Sequence, residues 1–317
     1  MKIRHVCHND IDKSKWDNAI LASPQCRVYA TSWYLDAATN RQWNALVSEN
    51  YEHVMPLPVK RLWPGTSIIY QPVLSQQLGI FGRNIGSSDI QDFLQAIPNK
   101  FAEVSIPMNS ANRIFEIDGY QVVEKTNLEL DVSISYKELY SAFQKGVRSA
   151  LKKGQHSLIL SESDDVDTLV SFYKEVMQSK LNLKNSRFTL IRSIIMALMS
   201  RNYGFIVEAR DLQGNLVGAN FFCVFEGRII NLFGASNLAG RKLEAMHNLL
   251  NFTFLKYAGK PFIFDFEGSD IPPVKAFFES FGAKHQPYAV YTRTKISPLL
   301  STIRSLKASF RFNSKSN

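Results

Sequence analysis

The sequence predicts a mixed α/β protein built in two halves of like design. Three observations carry this. The chain has 317 residues, more than one hydrophobic core commonly organises. Its 22 Phe and 12 Tyr supply enough apolar mass for two sizeable cores. The order of periodicities in 1–134 (helices, consecutive strands, helix, strand) recurs in 135–317, without any repeat of the residues themselves. Runs of consecutive strands point to largely antiparallel sheets flanked by helices.

In the first half, 10–22 reads as a helix with Trp16, Ile20 and Leu21 on one side, ended by Pro24. Residues 28–39 read as a second helix, because Trp33, Tyr34 and Ala37 recur at helical spacing. Strands follow at 43–48, 53–62, 67–74 and 78–81. Two prolines, Pro56 and Pro58, place 53–62 at a sheet edge, since proline gives a ladder no N–H. Ser87-Ser88-Asp89 is expected to cap a short helix over 90–97. Strands at 101–106 and 121–130 close this half.

The second half opens on a strong helix over 136–153. A strand at 156–161 and helices at 164–181 and 188–201 follow. Three strands, 204–211, 216–226 and 228–235, are joined by the glycine-bearing turns 212–215 and 226–227. Then come a polar turn at 236–242, a long amphipathic helix, a strand at 262–266, a short helix and an aromatic strand. Ser297-Pro298 starts a last basic amphipathic helix over 299–312. Docking on the protein's own apolar groove is the commoner use of such a helix; peripheral contact with an acidic membrane is the other.

Composition excludes several classes. Three scattered cysteines form neither a disulfide framework nor a CxxC pair, and no HExxH or Cys/His cluster marks a metal site. No metal and no tightly bound cofactor are expected. No stretch approaches about 18 uninterrupted apolar residues, so no transmembrane segment is expected. The N-terminal MKIRHVCHNDIDKSKW lacks a signal-type apolar run, which makes a reducing cytoplasm the simplest compartment. The net charge of +9 favours anionic ligands without choosing among phosphates, CoA, nucleic acid and acidic lipid.

Four stretches carry candidate chemistry. In the turn 236–242, backbone amides at a helix start, Gly240, Arg241 and Lys242 would hold an anionic cofactor such as an acyl-CoA pyrophosphate. The plain alternative is a helix capped by Ser236 or Asn237. Alternation along Phe264-Asp265-Phe266-Glu267 puts both carboxylates on one strand face, where they would orient an amine and accept its proton. The alternative is an Asp that caps the next helix, with Gly268 for the sharp turn. On the helix 136–153, Lys145, Arg148 and Lys152 cluster opposite an apolar face of Tyr136, Tyr140, Phe143, Val147 and Leu151. They would bind phosphate or carboxylate, or serve only as a solvated, dipole-matched helix end. Tyr288 and Tyr291 would protonate a leaving group near a thioester, or simply pack in the core. No GxSxG, P-loop or Cys–His nucleophile pattern is present.

Asp265-Phe266-Glu267-Gly268-Ser269, followed by Val274-Lys275-Ala276-Phe277-Phe278 and Phe281-Gly282-Ala283, resembles the DFxG…FKxxFG signature of Fem-like peptidyltransferases and their relatives among GNAT-superfamily N-acyltransferases. Arg148 with Lys152-Lys153 resembles that family's R…KK helix. Trp33-Tyr34-Leu35, Pro56-Leu57-Pro58 and Gln76-Gln77-Leu78-Gly79 are similar to uncharacterised bacterial members. The resemblance covers most of the chain and is specific in 229–288. It implies two tandem GNAT-type domains, 1–134 and 135–317. It also implies transfer of an acyl or aminoacyl group from acyl-CoA or aminoacyl-tRNA to a small-molecule or peptide amine. The roles expected are donor binding by Ser236, Asn237, Gly240, Arg241 and Lys242, proton transfer by Glu267 or Asp265, and substrate binding by Arg148, Lys152 and Tyr288. Two family features are missing: the long coiled-coil insertion of some tRNA-using members and the full Q/RxxGxG/A acyl-CoA loop. A non-catalytic module for an anionic ligand, such as RNA or a cell-wall precursor, is the alternative of a different class.

Overall fold

The computed structural model describes residues 1–62, 65–181 and 185–294; the helix expected over 299–312 lies outside them. In chain order the elements are β1 (Arg4–Val6), α1 (Lys13–Ala22), α2 (Ser32–Thr39), β2 (Trp43–Val47), β3 (His53–Leu62), β4 (Thr66–Ile69) and β5 (Phe81–Gly82). Then come α3 (Ser87–Gln95), β6 (Phe101–Pro107), β7 (Gln121–Lys125), β8 (Leu128–Asp131), α4 (Tyr136–Ala142), α5 (Lys145–Gln155) and β9 (Leu158–Ser163). The chain continues with α6 (Val166–Leu181), α7 (Asn185–Met199), β10 (Gly204–Asp211), β11 (Leu216–Phe225) and β12 (Arg228–Ser236). It ends with α8 (Leu238–Lys242), α9 (Ala245–Tyr257), β13 (Ile263–Asp265), α10 (Pro272–Glu279), β14 (Lys284–His285) and β15 (Tyr288–Thr294).

Two sheets result. One runs β1-β2-β3-β4-β6-β15-β7, with β5 also on β3; the other runs β14-β8-β13-β12-β11-β10-β9. All pairings are antiparallel except β4–β6 and β12–β13. The chain therefore crosses twice between sheets: β8 leaves the first half for the second sheet, and β15 returns to the first.

Three apolar layers hold the sheets. One lies between them, where Trp16, Ile20, Tyr34 and Leu35 meet Ile194, Leu198, Phe221 and Ile230. A second lies under α5 and α9, around Leu249, Phe254, Phe264 and Phe281. A third lies under α3, around Met55, Phe93, Phe101 and Ile106. Strand β11 is buried almost throughout because both its faces are covered. Helices α2 and α7 join the halves, with Trp33 stacked on Tyr203 at 5.8 Å and the Arg201 guanidinium 4.6 Å from the Trp33 ring.

Several expectations are corrected. Strand β3 is interior, flanked by β2 on one side and by β4 and β5 on the other. Its prolines are tolerated for a local reason. The Val59 amide donates to Gln42 on the β2 side, so residues of opposite parity, Pro56 and Pro58, turn their nitrogens away from β2. There they face the gap between the stretch paired to β5 (His53, Val54) and that paired to β4 (Val59–Leu62). The strand expected over 121–130 is two strands in different sheets. The helix expected over 136–153 is broken at Phe143 and Gln144, both extended. The break lets the Phe143 ring reach Phe281 and Phe254 at 5.4 and 5.9 Å, while the Gln144 amide donates to Ser280. Helix α3 starts at Ser87, with the Asp89 carboxylate accepting from the Gly86 amide. The helix expected over 28–39 begins as a separate turn, 28–30, with Thr31 extended before α2.

Candidate active site

The two crossings between sheets meet at one place, and the geometry there follows from one close contact. The first crossing is Thr126-Asn127 and the second Gln286-Pro287. They are bonded to each other, the Gln286 amide donating to the Asn127 carbonyl at 3.0 Å. Gly268 lies against the first crossing: a Cβ there would stand 2.5 Å from the Thr126 carbonyl oxygen. The glycine was expected to permit a sharp turn. It permits this packing instead, and the left-handed residue is Glu267, at φ 52°. Such a conformation in a non-glycine residue stores strain, and strained residues concentrate at functional sites.

Beside this point the second sheet opens. Strand β12 pairs with β13 only from Arg228 to Ile230. Beyond that, β12 runs on to Ser236 with β11 on one flank and, among the described residues, no strand on the other. Unpaired backbone of this kind accepts an extended chain. A β-bulge bends β12 at the same level: Phe221 pairs with Phe233 and Phe222 with Asn231, leaving Leu232 as the extra residue. A cleft of about 710 Å³ follows, walled by Phe233, Glu267, Tyr288, Tyr173, Arg187 and the loop 71–76.

The electrostatics of the cleft centre on Glu267. The Tyr29 hydroxyl donates to its Oε1. Burial raises the Glu267 pKa to about 8; the Tyr29 hydrogen bond opposes the rise and the charge of Asp265 adds to it. Tyr29 is itself held well above the ordinary tyrosine value by burial and then by Glu267. Tyr288 is raised by burial, then by Glu267, and stays a protonated donor across neutral pH.

Asp265 is placed differently from its sequence neighbour. It is 1% exposed. One oxygen accepts from the Glu267 amide at 2.9 Å, the other from Arg228 at 3.0 Å. The same Arg228 nitrogen donates to Glu129 at 2.7 Å. Arg27, from the first half, reaches Glu129 at 4.0 Å and donates to Ser110 and to the carbonyls of Gln25 and Cys26. Two arginines and two carboxylates thus form a buried network behind Glu267. Burial pushes Glu129 up, with Asp265 adding and Arg228 opposing. Asp265 holds the backbone on which Glu267 is carried, whereas Glu267 borders the cleft.

The other sequence candidates are spread out. Of the expected substrate residues, Tyr288 lines the cleft with Glu267. Arg148 donates to the carbonyls of Ser141 and Phe143 and closes the end of α4; Lys152 is exposed on α5. Neither lines the Glu267 cleft. The turn 236–242 is largely helix α8. The Asn237 carboxamide accepts from the Gly240 amide at 2.8 Å, and Ser236 ends β12. Arg241 and Lys242 lie exposed at the last turn of α8. The hollow beside Asn237 is bordered by Asp165, Asp167 and Glu175, so a pyrophosphate seated there would face carboxylates. Gly240 is required by packing: a Cβ would come within 2.0 Å of the Val217 carbonyl oxygen. Gly240→Ala should therefore destabilise the fold by about 1–3 kcal/mol, read by urea denaturation.

Sequence reasoning missed Arg27, Tyr29, Glu129, Arg228, Tyr173 and Arg187. No motif marks them. Among the described residues no group of three His, Cys, Asp or Glu side chains is placed to hold a metal ion, and no helix is long and apolar enough to cross a membrane.

No family model matches the chain, and no curated protein matches it by sequence. Solved structures do match. FemX superposes with a TM-score of 0.65 at 12% identity, covering 91% of this chain and 97% of its own. The C-terminal domain of an Agrobacterium fabrum protein described as a lysylphosphatidylglycerol synthetase gives 0.56 at 12% identity, covering 93% of this chain and 96% of that one. L-PGS from Bacillus licheniformis gives 0.51 at 13% identity, with coverages of 85% and 89%. At these identities the likeness is one of fold alone: the chain shares the fold of FemX and of the two lysylphosphatidylglycerol synthetase-type structures.

Proposed function

We propose that this chain, with its Fem-like fold, transfers an acyl or aminoacyl group to an amine held in the Glu267 cleft. The observation that carries the reading is a carboxyl group with a pKa of about 8 at the wall of a cleft, beside the flank where β12 parts from β13. A proton acceptor matched to neutral pH is what attack by an amine needs, since the bound ammonium must lose a proton first.

In this mechanism the donor lies along 231–236, its carbonyl toward the cleft. Glu267 takes one proton from the bound ammonium, the freed amine nitrogen attacks the carbonyl carbon, and its second proton restores the Tyr288 hydroxyl once that group has protonated the leaving group. The tetrahedral oxyanion is held by backbone N–H groups of the bulged strand. The bond to the leaving group then breaks. Tyr288, kept protonated by its surroundings, supplies the proton that the departing thiolate or ribose oxygen takes. Tyr29 positions the Glu267 carboxyl from behind. The donor is acyl-CoA or aminoacyl-tRNA. The carboxylates beside Asn237 favour a donor whose phosphates stay outside that hollow.

The test presents the protein with acetyl-CoA, and separately with alanyl- and lysyl-charged tRNA, together with a panel of primary amines. Release of free thiol or uncharged tRNA should depend on added amine and should disappear in Glu267→Gln. If no donor turns over while RNA or a peptidoglycan precursor still binds, the non-catalytic module replaces this reading.

A further inference from the structure

A second concavity lies on the first sheet, away from Glu267, and no part of the proposed reaction uses it. Its volume is about 510 Å³, within the usual size of a small-molecule site. Three cations, Arg41, Arg61 and Lys100, line it, and no Asp or Glu does. Among the described residues none of the three makes an ion pair. Asp36, bonded to two of the lining residues, is already engaged: it accepts from His8 at 2.7 Å, from Trp43 at 2.8 Å and from Lys13 at 2.5 Å. Like charges gathered around a hollow without a counter-charge repel one another, and an anion relieves that repulsion.

The backbone of Arg41 is a second observation. Helix α2 ends with Asn40 and Arg41 both left-handed, at φ 51° and 60°. Glycine is the residue best suited to such a helix end. An arginine there adopts a costlier conformation, and its side chain lines the hollow. The three cations also come from separate elements: the end of α2, strand β3, and the residue before β6. In the sheet, Arg61 pairs with Ser67 and Ser67 with Phe101, so one row of side chains continues across β3, β4 and β6 into the site. Gln42, Asn44 and Ser67 offer neutral hydrogen-bonding groups at its wall.

We propose that this hollow binds a phosphorylated small molecule of nucleotide size, its phosphates on Arg41, Arg61 and Lys100. The shape is a small-molecule concavity rather than a long basic track, which favours this ligand over an RNA chain. The site is independent of the acyl-transfer reading.

The test is calorimetric titration and thermal shift of the full chain with ADP and with inorganic pyrophosphate, against adenosine as the uncharged control. Both phosphate probes should bind and raise the melting temperature; adenosine should not. Arg61→Gln with Lys100→Gln should weaken binding at least tenfold. Arg41→Gly should weaken it too while leaving the free protein no less stable, because glycine fits the left-handed backbone. Glu267→Gln should bind as the wild type does. The proposal is overturned if neither probe binds, if binding is undiminished in the charge variants, or if only an RNA polymer binds at these residues.

Discussion

Arg228→Met should destabilise the protein by about 3–5 kcal/mol at neutral pH, because it leaves two buried carboxylates facing each other without their shared cation. Arg228 bridges Glu129 at 2.7 Å and Asp265 at 3.0 Å, and methionine fills much of its volume with no charge. The loss should depend on pH. Burial and Asp265 already hold Glu129 above its ordinary value, and removal of Arg228 raises it further. A carboxyl whose folded pKa exceeds its unfolded one keeps a proton that the unfolded chain has released. Stability then falls as pH rises through that window. The deficit of the variant should be smallest near pH 5 and largest near pH 8, measured by urea denaturation at both. A second change, Glu129→Gln, should recover part of it. A deficit equal at the two pH values would show that the cost is one of shape and not of charge. Since Asp265 also fixes the Glu267 amide, this variant should lose transfer activity together with stability.

Glu267→Gln should lower the transfer rate by about 100- to 10,000-fold, the range expected for loss of a general base, while leaving the fold intact. Gln keeps an oxygen for the Tyr29 hydroxyl, so the contact behind the site survives. The wild-type rate should rise with pH through about 8, as Glu267 gives up its proton, and that rise should be missing from the residual rate of the variant. The stability consequence has its own sign. The folded carboxyl titrates near 8, against an ordinary value of 4.5. Between those values the folded state binds a proton that the unfolded state lacks. The wild type should therefore lose stability relative to the Gln variant as pH rises from about 5 to 8. Melting temperatures of the pair across that range, set beside the rate profiles, separate catalytic from structural loss. A Gln variant with the wild-type rate and pH profile would remove Glu267 from the chemistry.

The comparison of Asp265 with Glu267 shows how far local pattern reaches. Alternation set both carboxylates on one strand face opposite Phe264 and Phe266, and those two rings do lie in the core under α9; the strand itself ends at Asp265, and Glu267 follows it with a left-handed backbone. Alternation could not tell the two apart. What separates them is Arg228 on β12, paired with one, and Tyr29 from the first half, bonded to the other. Both partners arrive by tertiary contact, from 37 and 238 residues away in sequence. The same limit applies to Arg148. Periodicity put it on an exposed face of one long helix. The break at Phe143 turned it toward the carbonyls of α4 instead.

The amino-acid sequence by itself determined the class of fold, because helix and strand periods and glycine-bearing turns are written in residues close along the chain. It also carried the resemblance to a Fem-like signature around Asp265–Gly282, for the same reason. The tertiary structure decided which strand joins which sheet. The crossings at 126–127 and 286–287 depend on contacts between residues more than a hundred apart, as when the Gln286 amide finds the Asn127 carbonyl. It also decided the chemistry of Glu267. An isolated glutamate is an ordinary acid; its pKa of about 8 comes from burial where those crossings meet, and burial is a property of the packed chain alone.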